Sequence, residues 1–389
     1  MTAMLLRNVQ RVTAASEAPT DVRLDARGIV TELGRDLAPN SEEQVHEGGY
    51  LSPGWTDLHT HVYWGATDIS VRVRDAGAAS GVTTVVDAGS AGEANIAGFR
   101  EYCAEPAHER VFALLNLGSI GLVKTNVVSE LEGIHGVDLD RMAEVLEHEQ
   151  DLIKGVKIRA SHVILREWGL EPFKVARKMA RRAGMPLMVH VGEPPPLIED
   201  VLDRLDAGDI LTHCFNGKVG GNVFDDADAY RSARAAHDRG VVFDLGHGNA
   251  SFSFAVARRA IEEGLAPTTI STDLHGHNIG GPVYDLPTTM SKMLHVGTPF
   301  DEVITAVTAA ADRALALGDR SETWCAVGEP LDGTLFDLVE RPHVVRDSLG
   351  DEETIDRWFA PRWTFLHGRA TQAANRFLDG VEARGTDEP

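Results

Sequence analysis

The chain opens with alternating apolar and polar positions. Met4-Leu5-Leu6-Arg7-Asn8-Val9, Asp21-Val22-Arg23-Leu24-Asp25 and Gly28-Ile29-Val30-Thr31-Glu32-Leu33 are short runs punctuated by Gly and Asp, the pattern of antiparallel strands with one solvated face. From Leu51 onward the pattern changes. Near-continuous apolar runs recur at Leu51–Leu58, Val82–Ala88, Val111–Leu117, Gly155–Ile158, Leu187–Val191, Ile210–His213, Val241–Leu245 and Thr268–Thr272. They are rich in β-branched residues and do not alternate, which predicts strands buried on both faces. Amphipathic or Ala/Arg-rich segments at Phe173–Ala183, Ala227–Arg239, Ala250–Glu263 and Phe300–Ala316 separate several of them, and Gly184, Gly240 and Gly264 stand where helix C-caps are expected. Strands alternating with helices imply a parallel sheet of βα units, and eight units over roughly 265 residues fit an α/β fold of the closed (β/α)8 TIM-barrel type. The connection Gly118–Leu152 is long enough for extra elements. β character returns at Gly333–Val339 and Trp363–Leu366. Both chain ends are therefore expected to build one small β-sandwich, 1–50 with 318–389, beside a barrel spanning 51–317. Gly380–Pro389 reads as a frayed tail.

Composition narrows the class. A hydrophobic content of 43% with 25% charged residues is that of a soluble globular protein. The excess of 59 acidic over 37 basic residues, a formal charge of −22, weighs against nucleic-acid backbones and anionic membranes as partners. A small molecule is the expected partner, and homo-oligomerisation stays open. Cys103, Cys214 and Cys325 are odd in number and far apart, so no disulfide framework is expected and a reducing cytoplasm is the natural location. No apolar run approaches the ~20 residues of a membrane span, and no basic-then-apolar leader opens the chain.

In such a barrel the chemistry sits at the C-terminal ends of the strands. The first run ends in His59 and His61, the fourth in Lys157, the fifth in His190, the sixth in His213 and the eighth in Asp273. Residues i and i+2 of a strand share a face, so His59 and His61 project together as half of a metal site. Alone, the pair reads as readily as two ordinary histidines, and a lone Asp273 as a helix cap. Six candidates at five strand ends change that balance. Lys154, three residues before Lys157, competes for the lysine position; its place at the strand start favours a solvated side chain. Phosphate-binding glycine loops, a dinucleotide fingerprint and a nucleophile elbow are absent from the sequence, and Gly217-Lys218-Val219-Gly220-Gly221 reads as a flexible loop.

These residues, with Pro53-Gly54-Trp55-Thr56-Asp57-Leu58-His59-Thr60-His61 and the late Gly328-Glu329-Pro330-Leu331-Asp332-Gly333-Thr334-Leu335-Phe336-Asp337-Leu338, resemble the amidohydrolase superfamily in its binuclear form. Val156-Lys157-Ile158-Arg159-Ala160-Ser161 and Asp285-Leu286-Pro287-Thr288-Thr289-Met290-Ser291-Lys292 are similar to its dihydroorotase-like amidohydrolase/deacetylase subgroup. The resemblance implies that His59, His61 and Asp273 hold one metal and His190 and His213 a second. It also implies that Lys157, as N6-carboxylysine formed with CO2, bridges both. Burial beside cations would supply the neutral amine that takes up CO2. Two divalent ions, with zinc favoured by the imidazole-rich ligand set, then activate a bridging hydroxide, with Asp273 as ligand and general base.

The activity implied is a metal-dependent hydrolase, most simply a deacetylase acting on a small acylated carboxylic acid: an N-acyl amino acid or an O-acyl 2-hydroxy acid. Ring opening of a cyclic amide, as by dihydroorotases and hydantoinases, is the first alternative; nucleobase deamination ranks lower. A non-catalytic barrel scaffold is the alternative of another class, against which all six ligand candidates being present argues. Arg159, sharing the face of Lys157, could clamp a substrate carboxylate or form a rim salt bridge. Asn216, His247 and His275 sit in loops at the expected mouth and are candidate substrate contacts, although turn chemistry alone accounts for Asn in such loops. Cys214 reads as a buried filler, and His162, His237, His295 and His343 as structural.

Overall fold

The computed structural model describes residues 1–12, 18–125, 127–128, 130–131, 136–320 and 323–385. The apolar runs form a parallel sheet and the alternating ends form antiparallel ones, as their patterns require. In chain order the strands are β1 (Met4–Arg11), β2 (Thr20–Leu24), β3 (Val30–Gly34), β4 (Gln44–Glu47), β5 (Tyr50–Pro53), β6 (Trp55–Thr60), β7 (Val82–Ala88), β8 (Arg110–Asn116), β9 (Ile153–Ala160), β10 (Leu187–Val191), β11 (Ile210–Thr212), β12 (Val242–Asp244), β13 (Gly333–Arg346), β14 (Glu352–Leu366) and β15 (Arg369–Gln372).

Strands β6 to β12 pair in sequence order, all parallel. Every residue of β6 and β7 is buried, which accounts for the absence of alternation in their sequences. The eighth run differs from expectation. Thr268–Thr272 is not a laddered strand; it closes the sheet through single parallel bridges, Asp244 to Thr269 on one side and Thr60 to Leu274 on the other. The barrel interior is filled by Leu58, Val86, Ala88, Leu114, Met188 and Ile210, with Ala311 and Leu315 closing it from below. It is a packed core rather than a pore, as in such barrels.

The chain ends meet at β5, which lies parallel to the end of β1 and antiparallel to β13. Strands β4-β1-β2-β3 and β5-β13-β14-β15 join where β1 pairs β5, and Met4, Leu6, Val22 and Leu24 face Leu51, Leu335 and Phe365 in one apolar cluster. The late strands are much longer than the pattern indicated. β13 and β14 run 14 and 15 residues, and the turn between them reaches back onto the barrel.

Several helices depart from expectation. Phe300–Ala316 is two helices, Phe300–Ala306 and Ala309–Ala314, broken at Val307-Thr308. The segment expected as a helix from Ala250 begins at Phe254, where the Ser253 hydroxyl caps it. Leu286–His295 is a helix that no amphipathic pattern announces, because Leu286 to Leu294 are all buried. The connection Gly118–Leu152 holds a helix at Leu139–His148; residues 126, 129 and 132–135 of it lie outside the described residues. In place of a frayed tail from Gly380, a helix spans Arg376–Gly385, and 386–389 lie outside the described residues. No helix among the described residues is long and apolar enough to cross a membrane.

Below the barrel, Arg320 joins the two parts of the chain. It reaches Asp312 at 2.8 Å and Asp332 at 3.2 Å, and donates to Gly54 O and the Thr56 hydroxyl. Arg110 at the start of β8 holds the same Asp332 at 2.7 Å. Removing one member leaves carboxylates short of partners in a mostly buried network. Arg320→Met is therefore expected to destabilise the fold by about 3 kcal/mol, measured by denaturant unfolding, without shifting KM for any substrate turned over at the opposite rim.

Candidate metal centre and cavity

Each candidate residue is placed by the end of its strand. His59 lies in β6 and His61 one residue beyond it; Lys157 is in β9 and His190 in β10; His213 and Asp273 follow β11 and the bridging eighth segment. His59 Nε2 and His61 Nε2 stand 3.4 Å and 3.1 Å from Asp273 Oδ1, and His213 Nε2 stands 3.9 Å from Oδ2. Lys157 Nζ lies 3.2 Å from His59 Nε2 and 3.2 Å from Met188 Sδ. His190 packs edge-on to His213 with ring centroids 4.4 Å apart. All six line one site, and Lys154 does not reach it: its Nζ donates to Gln150 O on the exposed surface.

The far sides of the rings set the tautomers. The Thr212 hydroxyl donates to Asp244 Oδ2 at 2.7 Å, so at 2.9 Å from His59 Nδ1 it accepts that ring's N–H. Gly246 O can only accept, so His213 donates to it from Nδ1 at 2.6 Å. His61 Nδ1 is held by the Ser90 hydroxyl at 2.9 Å, and Asp87 fixes the backbone of Ser90 and Val62. In the neutral rings Nε2 of His59 and His213 therefore carries a lone pair on the side of Asp273, that of His59 also 3.2 Å from Lys157 Nζ.

Electrostatics agree with those tautomers. Burial drives His59 and His190 well below the usual imidazole range, helped by neighbouring Lys157 for His59 and by His213 and Arg159 for His190. His213 is pushed down to about 3 by burial, against the pull of Asp273. For Asp273 burial opposes ionisation, yet positive charge on the His59, His61 and His213 side outweighs it and holds the carboxyl well below its ordinary value; with those rings neutral, a bound cation would supply that charge. Lys157 is lowered to about 8, chiefly by burial.

Neutral imidazole lone pairs facing an ionised carboxylate repel one another, and a cation between them reverses the sign. His213 Nε2 is buried with no hydrogen-bond partner, and His59, His213 and Asp273 present ligand atoms all within 4.8 Å of one another. This donor set fits a divalent metal. Its outer supports are Thr212 and Asp244, which act through the His59 ring. Thr212→Val is expected to lower metal affinity or turnover by about 10- to 100-fold, read by metal titration of the folded protein; an unchanged affinity and rate would remove Thr212 from this role.

The site opens into a cavity of about 430 Å³ lined by His59, His61, Lys157, His190 and Asp273, with Arg159, Glu193, Lys218, His275 and His277 on the walls. Arg159 reaches this cavity and is paired with Glu130 at 2.8 Å. His275 also lines it, its imidazole pushed down to about 4 by burial. Asn216 and His247 do not line it. The Asn216 amide is wholly buried and donates to His213 O and Gly221 O. Both His247 ring nitrogens are occupied, by Lys292 Nζ and by Gly248 O. The loops carrying them curl back on themselves, which position after a strand does not reveal. The segment Gly217–Gly221, read from sequence as a flexible loop, supplies Lys218, whose Nζ meets Glu193 at 2.6 Å on the cavity wall.

Sequence reasoning missed Asp244, Thr212, Asp87 and Ser90, which orient the imidazoles, and Glu193 and Lys218 in the cavity. Glu193 could have been found by the strand-end rule, two residues past Val191. Asp244 is the last residue of β12 and was equally available. Cys214 is fully buried, with its thiol pushed well up by burial, in keeping with a packing role. His295 bonds Glu353 at 2.7 Å and His343 packs on Trp358, both remote from the cavity.

No family model matches the chain. A deacetylase of Brucella anthropi is 48% identical over 376 residues, spanning 95% of this chain and 93% of that protein. The deacetylase Atu3266 of Agrobacterium fabrum is 47% identical over 380 residues, spanning 96% and 93%. Among solved structures, a dihydroorotase superposes with a TM-score of 0.91 at 46% identity, over 96% of this chain and 100% of that one. An adenine deaminase superposes at 0.84 with 31% identity, over 95% and 99%.

Proposed function

Because the chain belongs to the amidohydrolase superfamily, we propose that it is a binuclear metal-dependent hydrolase that removes an acyl group, most simply acetyl, from a small carboxylic acid. The observation that carries this reading is the convergence of His59 Nε2 and the unpartnered His213 Nε2 on Asp273, with buried Lys157 3.2 Å from His59 Nε2. His59, His61 and Asp273 would hold one ion and His190 and His213 the other, with Lys157 as a carbamate between them; zinc suits four imidazoles. When bound, such a pair lowers the pKa of water to near neutrality and polarises a carbonyl.

The chain's own residues supply the rest. Asp273 Oδ1 faces His59 and His61 at 3.4 and 3.1 Å, whereas Oδ2 stands 3.9 Å from His213 Nε2 and is the atom to take a proton from the attacking water and return it to the leaving oxygen or nitrogen. Arg159 and Lys218 put cationic character on the walls, suited to a substrate carboxylate. Their partners Glu130 and Glu193 keep these side chains extended before substrate arrives. Ile69, Leu122 and Val163 offer apolar contact to the acyl or side-chain portion.

Names given to relatives favour deacylation, whereas a structural neighbour named dihydroorotase favours cyclic amides. Protein reconstituted with zinc and bicarbonate is to be assayed in parallel on acetyl esters and acetyl amides of 2-hydroxy and amino acids, and on cyclic amides. Turnover of the acyclic set supports the proposal. Activity confined to cyclic substrates replaces it with ring opening, and no turnover with no bound metal returns the scaffold.

A further inference from the structure

Lys292, on the helix Leu286–His295, is wholly buried. Its ammonium meets three acceptors: His247 Nε2 at 2.9 Å, Pro282 O at 2.6 Å and Arg346 O at 2.7 Å. An ammonium has three protons, so the set is complete. The acceptors come from three separate segments: the Gly246–Gly248 turn after β12, the loop before the helix, and the β13–β14 hairpin. With Nε2 accepting from Lys292, His247 donates from Nδ1 to Gly248 O at 2.9 Å.

The turn pinned in this way is the wall behind the metal centre. Gly246 O receives the His213 Nδ1 proton at 2.6 Å. A Cβ on Gly248 would stand 2.6 Å from Asp273 Oδ2, and Gly246 and Gly248 hold φ of 49° and 56°, a conformation that favours glycine. The amides of His247 and Gly248 bond to Ser271 O and Thr272 O, on the segment that leads into Asp273. From the second sheet, the Ser348 hydroxyl donates to Gly248 O at 2.9 Å and its amide to Phe252 O at 3.0 Å. If this space needed only filling, an apolar side chain would do so without the cost of burying an ammonium.

We propose that Lys292, acting through His247, is a positioning residue for His213 and Asp273, and that it ties the β13–β14 hairpin to the geometry of the metal centre. Its role in turnover rests on the hydrolase reading above; its role in geometry does not. The test uses full-length Lys292→Met, His247→Phe and His247→Gln. Lys292→Met is expected to lower kcat by about 10- to 100-fold with KM changed by less than about threefold, and to release metal at about tenfold lower chelator concentration. In metal-free protein the amides of His247 and Gly248 should exchange faster with solvent. His247→Phe should match it, and His247→Gln, which restores an acceptor for Lys292, should recover most of the loss. Combining Lys292→Met with His247→Phe should cost no more than either alone.

A lower melting temperature with kcat, metal retention and amide exchange unchanged would make Lys292 merely structural and overturn the proposal. Should Lys292→Met fail to fold, equal kcat, metal retention and exchange in His247→Phe and His247→Gln would overturn it as well. If the native protein hydrolyses nothing, the functional reading falls, while exchange and metal release still judge Lys292.

Discussion

Asp273→Asn is expected to lower kcat by about 10³-fold in metal-loaded protein while leaving the fold intact. The amide matches the carboxylate in size, so the packing against Gly248 and the backbone bond from Asp273 N to His59 O at 2.7 Å persist. Two things are lost. A neutral amide cannot take a proton, and positioned general-base catalysis contributes about 10²- to 10⁴-fold. The negative charge that faces three imidazoles, from 3.1 Å at His61 to 3.9 Å at His213, also disappears, so metal should be held less tightly. Steady-state kinetics with metal analysis on the same sample separates the two: restoring full metal occupancy by excess zinc should leave most of the kcat loss in place. Recovery of native kcat on reloading would reduce Asp273 to a ligand with no part in proton transfer.

How much of this was legible in the sequence follows from what fixes each residue. The cluster residues His59, Lys157, His190, His213 and Asp273 are set by their distance along a strand, and strand ends can be read from apolar runs. Residues beyond the strands are set by where a loop turns, which the local pattern does not carry. Asn216 and His247 occupy the expected mouth in sequence yet turn into the protein to bond backbone and Lys292, whereas Lys218, from a segment that looked like a plain glycine loop, reaches the cavity. The helix bearing Lys292 was invisible for another reason. Hydrophobic periodicity needs a wet face, and Leu286 to Leu294 have none. The long β13–β14 hairpin was under-read because its outer half is mostly solvated and buries only isolated residues, Val345 and Ile355, too few to impose a visible alternation.

Lys157→Ala is expected to have the largest effect on the metal centre. The native side chain is 2% exposed, with its Nζ 3.2 Å from His59 Nε2, and as an ammonium it would repel any cation held there. As the proposed carbamate it would be an anionic ligand, so its removal should lower affinity for the proposed second ion by at least about a hundredfold and abolish measurable turnover. The truncation leaves a pocket beside Met188 and His59 shaped for a short carboxylic acid, so millimolar propionate should restore part of both, and an amine of similar size should not. Formation of the carbamate has its own signature. Carbamate forms only from the neutral amine, and burial brings this lysine from 10.5 to about 8. About half of it is then neutral at pH 8 and about one part in a hundred at pH 6, against roughly one part in three hundred at pH 8 for an unshifted lysine. At fixed dissolved CO2, loading of metal-free native protein should therefore rise steeply from pH 6 to 8 and level off above. The increment in mass on Lys157 after loading, by mass spectrometry under native conditions, should follow the same curve. Stoichiometric binding of two ions by Lys157→Ala without added acid would exclude the carbamate bridge.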